Sequence, residues 1–542
     1  MKKFLKYKAI IFLLAFSSFS SCIKNDIPYP EEALYINSIV GDGILSSTSD
    51  YKNQTVELVL DETVDVENVN ITSVDYTDGA DFSVPLLGVQ NFSSSITTVL
   101  TKYQSYEWIV SATQDIERYF KVEGQIGVEE IDTTNRTATA YISEGSDLTD
   151  ITITALKLGP ADITTMSPSI DKLTSFSAAR YVSLSYNNVD NELWTLMVKT
   201  TDVNVILTLC DVRARSVNLI ASGDVSLDYG FRYRATGATD WIEVSQDNIT
   251  LFEGQFSTTI EGLDDQSSYQ VVAYCGSDET AIEDIVTEEA IALENGDFEL
   301  WSKPSNTWYP FLEDGEKYWA TGNPGSTTLG SSYNLTTPNS DDIRPGSTGI
   351  YSANLASQNV LVKFAAASLF VGNYVKTAGT NGIIGVGQPF NSRPKALKGW
   401  LKYDCGIIDI VGTTPSGVTI ESGVTPDQGF IYIALGTWTP EEYGISSRET
   451  EMLGTADTPI IFDTRDITTF FNSTSKDVVA YGELAITESV EQWQEFTIEL
   501  DYNSLTTIPT HLVIVCSSSR YGDYFTGSSQ SVMVLDDFEL VY

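Results

Sequence analysis

Near the end of the chain, "SSSRYGDYFTGSS" (517–529) sets Arg520, Tyr521, Asp523, Tyr524 and Phe525 within six consecutive positions. Aromatic faces stack on the apolar face of a pyranose, while Arg and Asp exchange hydrogen bonds with its hydroxyls. The surrounding Ser and Gly read as a loop, where binding groups concentrate. Trp301, Trp308 and Trp319 crowd a second aromatic-polar segment, and Arg393 stands in a third, "FNSRPK". Carbohydrate contacts are therefore expected from Trp301, Trp319, Arg393, Tyr521, Asp523 and Tyr524. Core packing is the competing expectation for Trp319, and loop anchoring for Tyr521, Asp523 and Tyr524. Trp400 in "KGWLKY" and Trp493 in "EQWQEF" alternate with polar residues as core positions do.

Covalent chemistry is less marked. Glycoside hydrolysis requires two carboxylates about 5 or 6.5–9.5 Å apart. Glu313, Asp314, Asp427, Glu483 and Asp523 are candidates, but among 74 acids none is singled out by its surroundings. The one histidine, His511, opens the apolar run "IPTHLVIVC" with no nucleophile elbow in the chain, so a structural role is expected. One His and scattered Cys argue against a zinc site. "GIIGVGQ" (382–388) lacks the strand-to-helix context of a dinucleotide loop and reads as glycines in a strand. No nucleotide is expected. The net charge of −43 excludes a basic nucleic-acid footprint and suits neutral polysaccharide better than polyanionic glycans.

The first residues, "MKKFLKYKAIIFLLAFSSFSSC", join a lysine-rich start, a short apolar run and small residues before Cys22. That pattern predicts a secretory signal over 1–21 and lipid attachment at Cys22. It implies a lipid-anchored protein of the bacterial outer membrane, probing outward from the cell envelope, with 22–32 as a polar spacer. The remaining cysteines, Cys210, Cys275, Cys405 and Cys516, lack the spacing of a metal or redox motif. Pairing of Cys210 with Cys275, and burial of each as a small apolar side chain, both stay open.

Such side chains need a scaffold, and the chain's patterning supplies strands. Val, Ile, Thr, Tyr and Phe alternate with polar residues in short runs broken by Gly, Asp and Asn, which predicts an all-β architecture. "KFAAASLF" (363–370) is the best candidate for a helical turn. "DVENVNITSV" (65–74) aligns with "DLTDITITAL" (147–156), and "YEWIVSAT" (106–113) with "ELWTLMVKT" (192–200), at offsets of 82 and 86 residues. That period suits two tandem immunoglobulin-like sandwiches, 33–127 and 128–201, with Trp108 and Trp194 as equivalent core anchors.

"YGFRYRATGATDWIEV" (229–244) and "FSTTIEGLDDQSSYQVVAYCG" (256–276), with Tyr269 at the corner, resemble fibronectin type III domains. The resemblance implies a spacer module over 202–288, followed by an acidic linker (277–294). From "NGDFELW" (295–301) onward, "WATGNPGS", "KFAAASLFVGNY", "GQPFNSRPKALKGWLKY", "VVAYGEL" and "SSSRYGDYFTGSSQSVMVLDDFELVY" occur in order. Together they resemble the putative carbohydrate-metabolism domain of surface lipoproteins. The resemblance implies a C-terminal jelly-roll sandwich over 293–542, similar to carbohydrate-binding modules, and brings no catalytic residues with it. Such modules open on "NxxFE" and close on a "DD" strand, with the first and last strands paired at one edge. Here "NGDFE" and "LDDFEL" would gather Asp297, Glu299, Asp536 and Asp537, and a structural calcium ion would find Glu299 and Asp537 as ligands. No other cofactor is expected. The sequence thus suggests a surface lipoprotein that binds a glycan or polysaccharide through its C-terminal domain. A glycoside hydrolase and a protein-binding adhesin are the alternatives.

Overall fold

A computed structural model describes residues 33–542 except 203, 204, 224, 226, 253, 254, 361, 362 and 416. The signal segment and Cys22 lie outside the described residues. The chain forms two units, one ending at Gln114 and one running from Asp115 to Tyr542.

In the first unit, strands Ile36–Gly41, Val69–Tyr76 and Gly88–Gln90 form one sheet. The other runs Ile44–Asp50, Thr55–Leu60, Ser105–Gln114, Ile96–Thr101 and Asp81–Phe82 in spatial order. Strand alternation builds the core: Val56, Leu58 and Leu60 point inward while their neighbours face out. Trp108 is fully buried, and its indole N–H donates to the Leu34 carbonyl at 3.0 Å.

The second unit opens with a sandwich of the same plan. Its larger sheet runs Glu130–Asp132, Thr137–Ser143, Val189–Thr201, Arg180–Tyr186 and Thr165–Ser167. Thr55 pairs in parallel with Ile109 in the first sandwich, and Thr137 with Thr195 in the second. The internal repeat is therefore a repeat of topology, with Trp194 buried at the place of Trp108. The boundary differs from the expected residue 127. Tyr119–Val122 pairs with Ile153–Lys157 and so belongs to the second sandwich, because "YFKV" alternates like any strand and nothing local says which sheet it joins.

In the third sandwich, Val205–Val212, Ser216–Gly223, Gln255–Glu261 and Thr250–Phe252 face a sheet built around Tyr229–Ala235 and Ser268–Cys275. Part of the expected acidic linker is structural, since Glu283–Val286 pairs with Ser268–Val271. The Tyr269 hydroxyl accepts the Asp264 amide at 3.0 Å, closing the corner. No bridge joins Cys210 to Cys275; Cys275 and Cys516 are buried in separate cores.

The C-terminal domain is a larger sandwich. One sheet runs Ile460–Asp463, Asn381–Val386, Ser368–Ala378, His511–Ser517, Gly429–Gly436, Val478–Ile486 and Asp501–Tyr502, with Trp319–Thr321 and Gln388–Pro389 added alongside. The other runs Thr336–Asn339, Ser352–Ala356, Val532–Val541, Ala396–Asp404 and Val490–Glu499. "KFAAASLF" is not helical: Lys363–Ala365 and Ser368–Ala378 are both strands, and the small alanines form the bend between them. The closing strand lies in the middle of its sheet, not at an edge. "NGDFE" is a turn that touches it through the Phe538 amide, which donates to Gly296 at 2.8 Å. Only glycine fits there, because a Cβ on residue 296 would lie 2.5 Å from the Phe538 carbonyl oxygen.

Arg393 fastens the third sandwich to the C-terminal one. The residue is 5 % exposed, and its guanidinium meets Glu288 at 2.6 Å, Asp211 at 2.9 Å and the Val212 carbonyl at 2.6 Å. Asp211 is also held by Arg213 at 2.8 Å, whose guanidinium lies 4.4 Å over the Tyr502 ring. Replacing Arg393 removes the cation from Glu288 and leaves Asp211 with Arg213 alone in a partly dry interface. Arg393→Ala should cost about 3–5 kcal/mol, measured by guanidinium unfolding; a loss below about 1 kcal/mol would show that the clasp is no stronger than a surface pair.

Candidate functional site

The nine-stranded sheet of the C-terminal sandwich has two apolar faces. Ile431, Ile433 and Leu435 face the opposing sheet, whereas Phe430, Tyr432 and Ala434 point the other way into a second cluster with Phe370, Trp438 and Phe462. Across consecutive strands Phe370 pairs with Val515 and Val515 with Tyr432. These side chains form the floor of a cavity of about 570 Å³.

Two loops raise its walls. In one, Phe471 stacks on Tyr432 with centroids 5.0 Å apart and on Tyr481 at 5.9 Å. That loop is pinned from beneath: Asp463 accepts from Ser446 at 2.8 Å and from Arg465, which also reaches Glu449 at 2.5 Å. Burial works to raise the Asp463 carboxyl, but its bonds to Arg465 bring it below the usual carboxylate range. The other wall is the loop singled out in the sequence. Tyr521, Asp523 and Tyr524 line the cavity, and Tyr524 meets Phe470 edge-on at 5.1 Å. Gly522 lets this loop lie against Ala366, whose methyl would be 2.3 Å from an added Cβ.

Charged groups sit at the mouth. The Arg520 guanidinium lies 4.6 Å over Phe430 and donates to Gln428 at 3.2 Å, with Glu483 at 3.5 Å. Lys363 places its ammonium 3.2 Å from the Phe525 ring centre and donates to Asn381 at 2.9 Å; burial lowers its pKa. Asp523 is open to the solvent of the cavity yet crowded by protein, and that desolvation pushes its carboxyl up to about 6. It is the one carboxylate among the described residues of the wall.

The loop hangs from a residue that sequence reasoning treated as a candidate acid. Asp427 is fully buried and accepts four hydrogen bonds: Ser519 Oγ at 2.7 Å, Ser531 Oγ at 2.8 Å, and the amides of Ser528 and Gln428 at 2.8 Å each. Burial raises its carboxyl despite these donors. With its oxygens so engaged, Asp427 is a positioning residue with no face toward the cavity wall. The serines that read as a loop in the sequence, Ser519, Ser528 and Ser531, are buried and donate to this carboxylate. No local pattern marks them, since the partner is some 100 residues away in sequence, as in the 101 residues between Asp427 and Ser528.

Other expected residues stand elsewhere. Trp319 is fully buried and donates to the Glu294 carbonyl at 2.7 Å, so it has no face for a ligand. Trp301 packs against the same core and donates to Phe298 at 2.6 Å. Arg393 is spent in the clasp between sandwiches. Glu313 and Asp314 are exposed on a turn; Glu483, by contrast, stands at the cavity mouth, where it accepts the hydroxyl of the lining residue Tyr481 at 2.5 Å. His511 is structural, bridging Thr510 at 2.8 Å and the Ala456 carbonyl at 2.7 Å. Of the proposed calcium ligands, Glu299 accepts the amides of Ile350 and Tyr351 at 2.9 Å each, and Asp537 pairs with Arg344. Among the described residues no group of three or more His, Cys, Asp or Glu is gathered as a metal site. The sequence reading missed Phe430, Tyr432, Phe471 and Tyr481. For Phe430 and Tyr432 the signal was "GFIYIALG", apolar at nearly every position, which implies a strand covered on both faces.

Residues 297–541, which make up the C-terminal sandwich, match the family described as "Putative carbohydrate metabolism domain". No curated protein shows significant similarity to the chain. Among solved structures, a putative glycoside hydrolase from Bacteroides thetaiotaomicron is 14% identical, with 95% of this chain and 98% of that one covered and a TM-score of 0.30. One from Bacteroides vulgatus is 21% identical over 45% of this chain and 96% of that one, with a TM-score of 0.32. The surface glycan-binding protein PbSGBP-B from Prevotella bryantii is 13% identical over 83% and 93%, with a TM-score of 0.18.

Removing the Asp427 carboxylate would strand two hydroxyls and two amides. Asp427→Ala should cost at least about 3 kcal/mol and open the 518–531 loop to proteolysis at Arg520. Asp427→Asn, which keeps one acceptor oxygen, should lose less. A stable Ala variant with a protease-resistant loop would contradict this role.

Proposed function

We propose that the C-terminal sandwich binds carbohydrate in the cavity on the outer face of its nine-stranded sheet. The observation that carries this reading is the cavity wall itself. Aromatic rings stand beside Arg520, Asp523, Lys363 and Asn381 in one concavity, the combination that stacks and hydrogen-bonds a sugar. The match of residues 297–541 to a carbohydrate-related family supports it. The three preceding sandwiches act as spacers. The basic and apolar leader ending at Cys22 supports a lipid-tethered protein that carries this site at the outer surface of a bacterial cell.

A retaining or inverting mechanism would pair Asp523 with a second carboxylate; at the mouth Glu483 stands 3.5 Å from Arg520 and accepts the Tyr481 hydroxyl at 2.5 Å, so a reducing-end assay separates hydrolysis from binding. Affinity electrophoresis through gels loaded with neutral polysaccharides tests the reading. The protein should be retarded by at least one of them without releasing reducing ends. Tyr524→Ala should weaken that retention about tenfold, the loss of one stacking contact. Tyr181→Ala, exposed on the second sandwich, should leave it unchanged. Retention unaffected by Tyr524→Ala would move the site elsewhere, and release of reducing ends would make the protein a hydrolase.

A further inference from the structure

Polar and apolar groups in the cavity are separated by depth. Phe364, Phe370, Tyr432 and Phe462 are each at most 6 % exposed. Lys363, Asn381 and Arg520 are half-buried, and Asp523 is exposed. A bare pyranose carries hydroxyls around its whole ring. Pressed against such a floor, each hydroxyl left unpaired would cost about 1–3 kcal/mol. The floor therefore suits an apolar group, and the mouth suits a sugar.

One polar atom belongs to the floor. Among the described residues three buried side-chain oxygens have no hydrogen-bond partner: those of Ser216, Ser302 and Tyr432. Of these residues, Tyr432 alone lines the cavity. A buried hydroxyl without a partner destabilises a fold, so its retention needs a compensating use. Burial and the nearby Asp523 charge keep the Tyr432 hydroxyl protonated, hence a donor. The half-buried Phe471 ring is stacked 5.0 Å from the Tyr432 ring in a loop of the wall, so an acceptor would reach the hydroxyl with that ring displaced. A single donor at the end of an apolar slot matches an apolar group with a single acceptor oxygen. An ester has that form.

We propose that this cavity grips a glycan by an ester-borne apolar substituent, acyl or aryl, whose carbonyl oxygen accepts from Tyr432 while the sugar rests against Arg520, Asp523 and Lys363. This rests on the reading of the C-terminal sandwich as glycan-binding. The substituent's apolar body lies on Phe370 and Phe462, and an aryl ring stacks beside Phe471.

Calorimetric titration of the full chain with acetylated xylan and feruloylated arabinoxylan, each beside its alkali-saponified form, tests the proposal. At least one esterified polymer should bind ten times more tightly than its saponified twin. Tyr432→Phe should erase most of that preference and keep or raise the melting temperature. If saponified and esterified forms bind alike, or if Tyr432→Phe keeps the preference, the ester inference fails while glycan binding stands. If neither form of either polymer binds and no other polysaccharide retards the protein, both readings fail.

Discussion

A single buried carboxylate, Asp427, sets the geometry on which the candidate site depends. Taking an ionised carboxylate out of water is costly, and the fold retains it by aiming four donors at its two oxygens. Three of those donors, Ser519, Ser528 and Ser531, come from the segment linking His511–Ser517, in the nine-stranded sheet, to Val532–Val541, in the five-stranded sheet. Asp427 itself precedes the strand Gly429–Gly436. The bond set therefore ties a crossing between two sheets to the strand that provides Phe430 and Tyr432. With the crossing fixed, Arg520, Tyr521, Asp523 and Tyr524 can stand as a wall above an aromatic floor.

A sheet that is apolar on both faces makes that floor. One face closes the inter-sheet core around Trp319, Ile433 and Met533. The other is only partly covered, by a loop held down through Asp463, Arg465 and Glu449. The uncovered remainder is the cavity. Arg393 adds a second constraint by joining the C-terminal sandwich to the one before it through buried ion pairs. The third sandwich is thus a fixed shoulder, which a spacer on a flexible linker would not be.

Strands and their repetition were legible in the sequence because alternation is a local signal. The offsets of 82 and 86 residues translate into matching strand orders, with Trp108 and Trp194 in equivalent cores. The RYGDYF loop was legible as a concentration of polar and aromatic types, and the structure brings it to a cavity. Non-local pairing was not legible. Arg393 and Trp319 have the same residue types as a sugar site, but burial and partners far away in sequence decide their roles. Asp427 and its serines are invisible for the same reason. "GFIYIALG" did contain the missing half of the site, since Phe430 and Tyr432 alternate with Ile431 and Ile433 and so must face a second environment.

Hydrogen exchange of the full chain, with and without a polysaccharide that retards it, tests the location of the site most directly. Bound ligand should slow exchange at 464–482 and 519–526, the two walls of the cavity, and leave 295–319 unchanged. Protection confined to 295–319 or to the third sandwich, with both walls unaffected, would contradict the account.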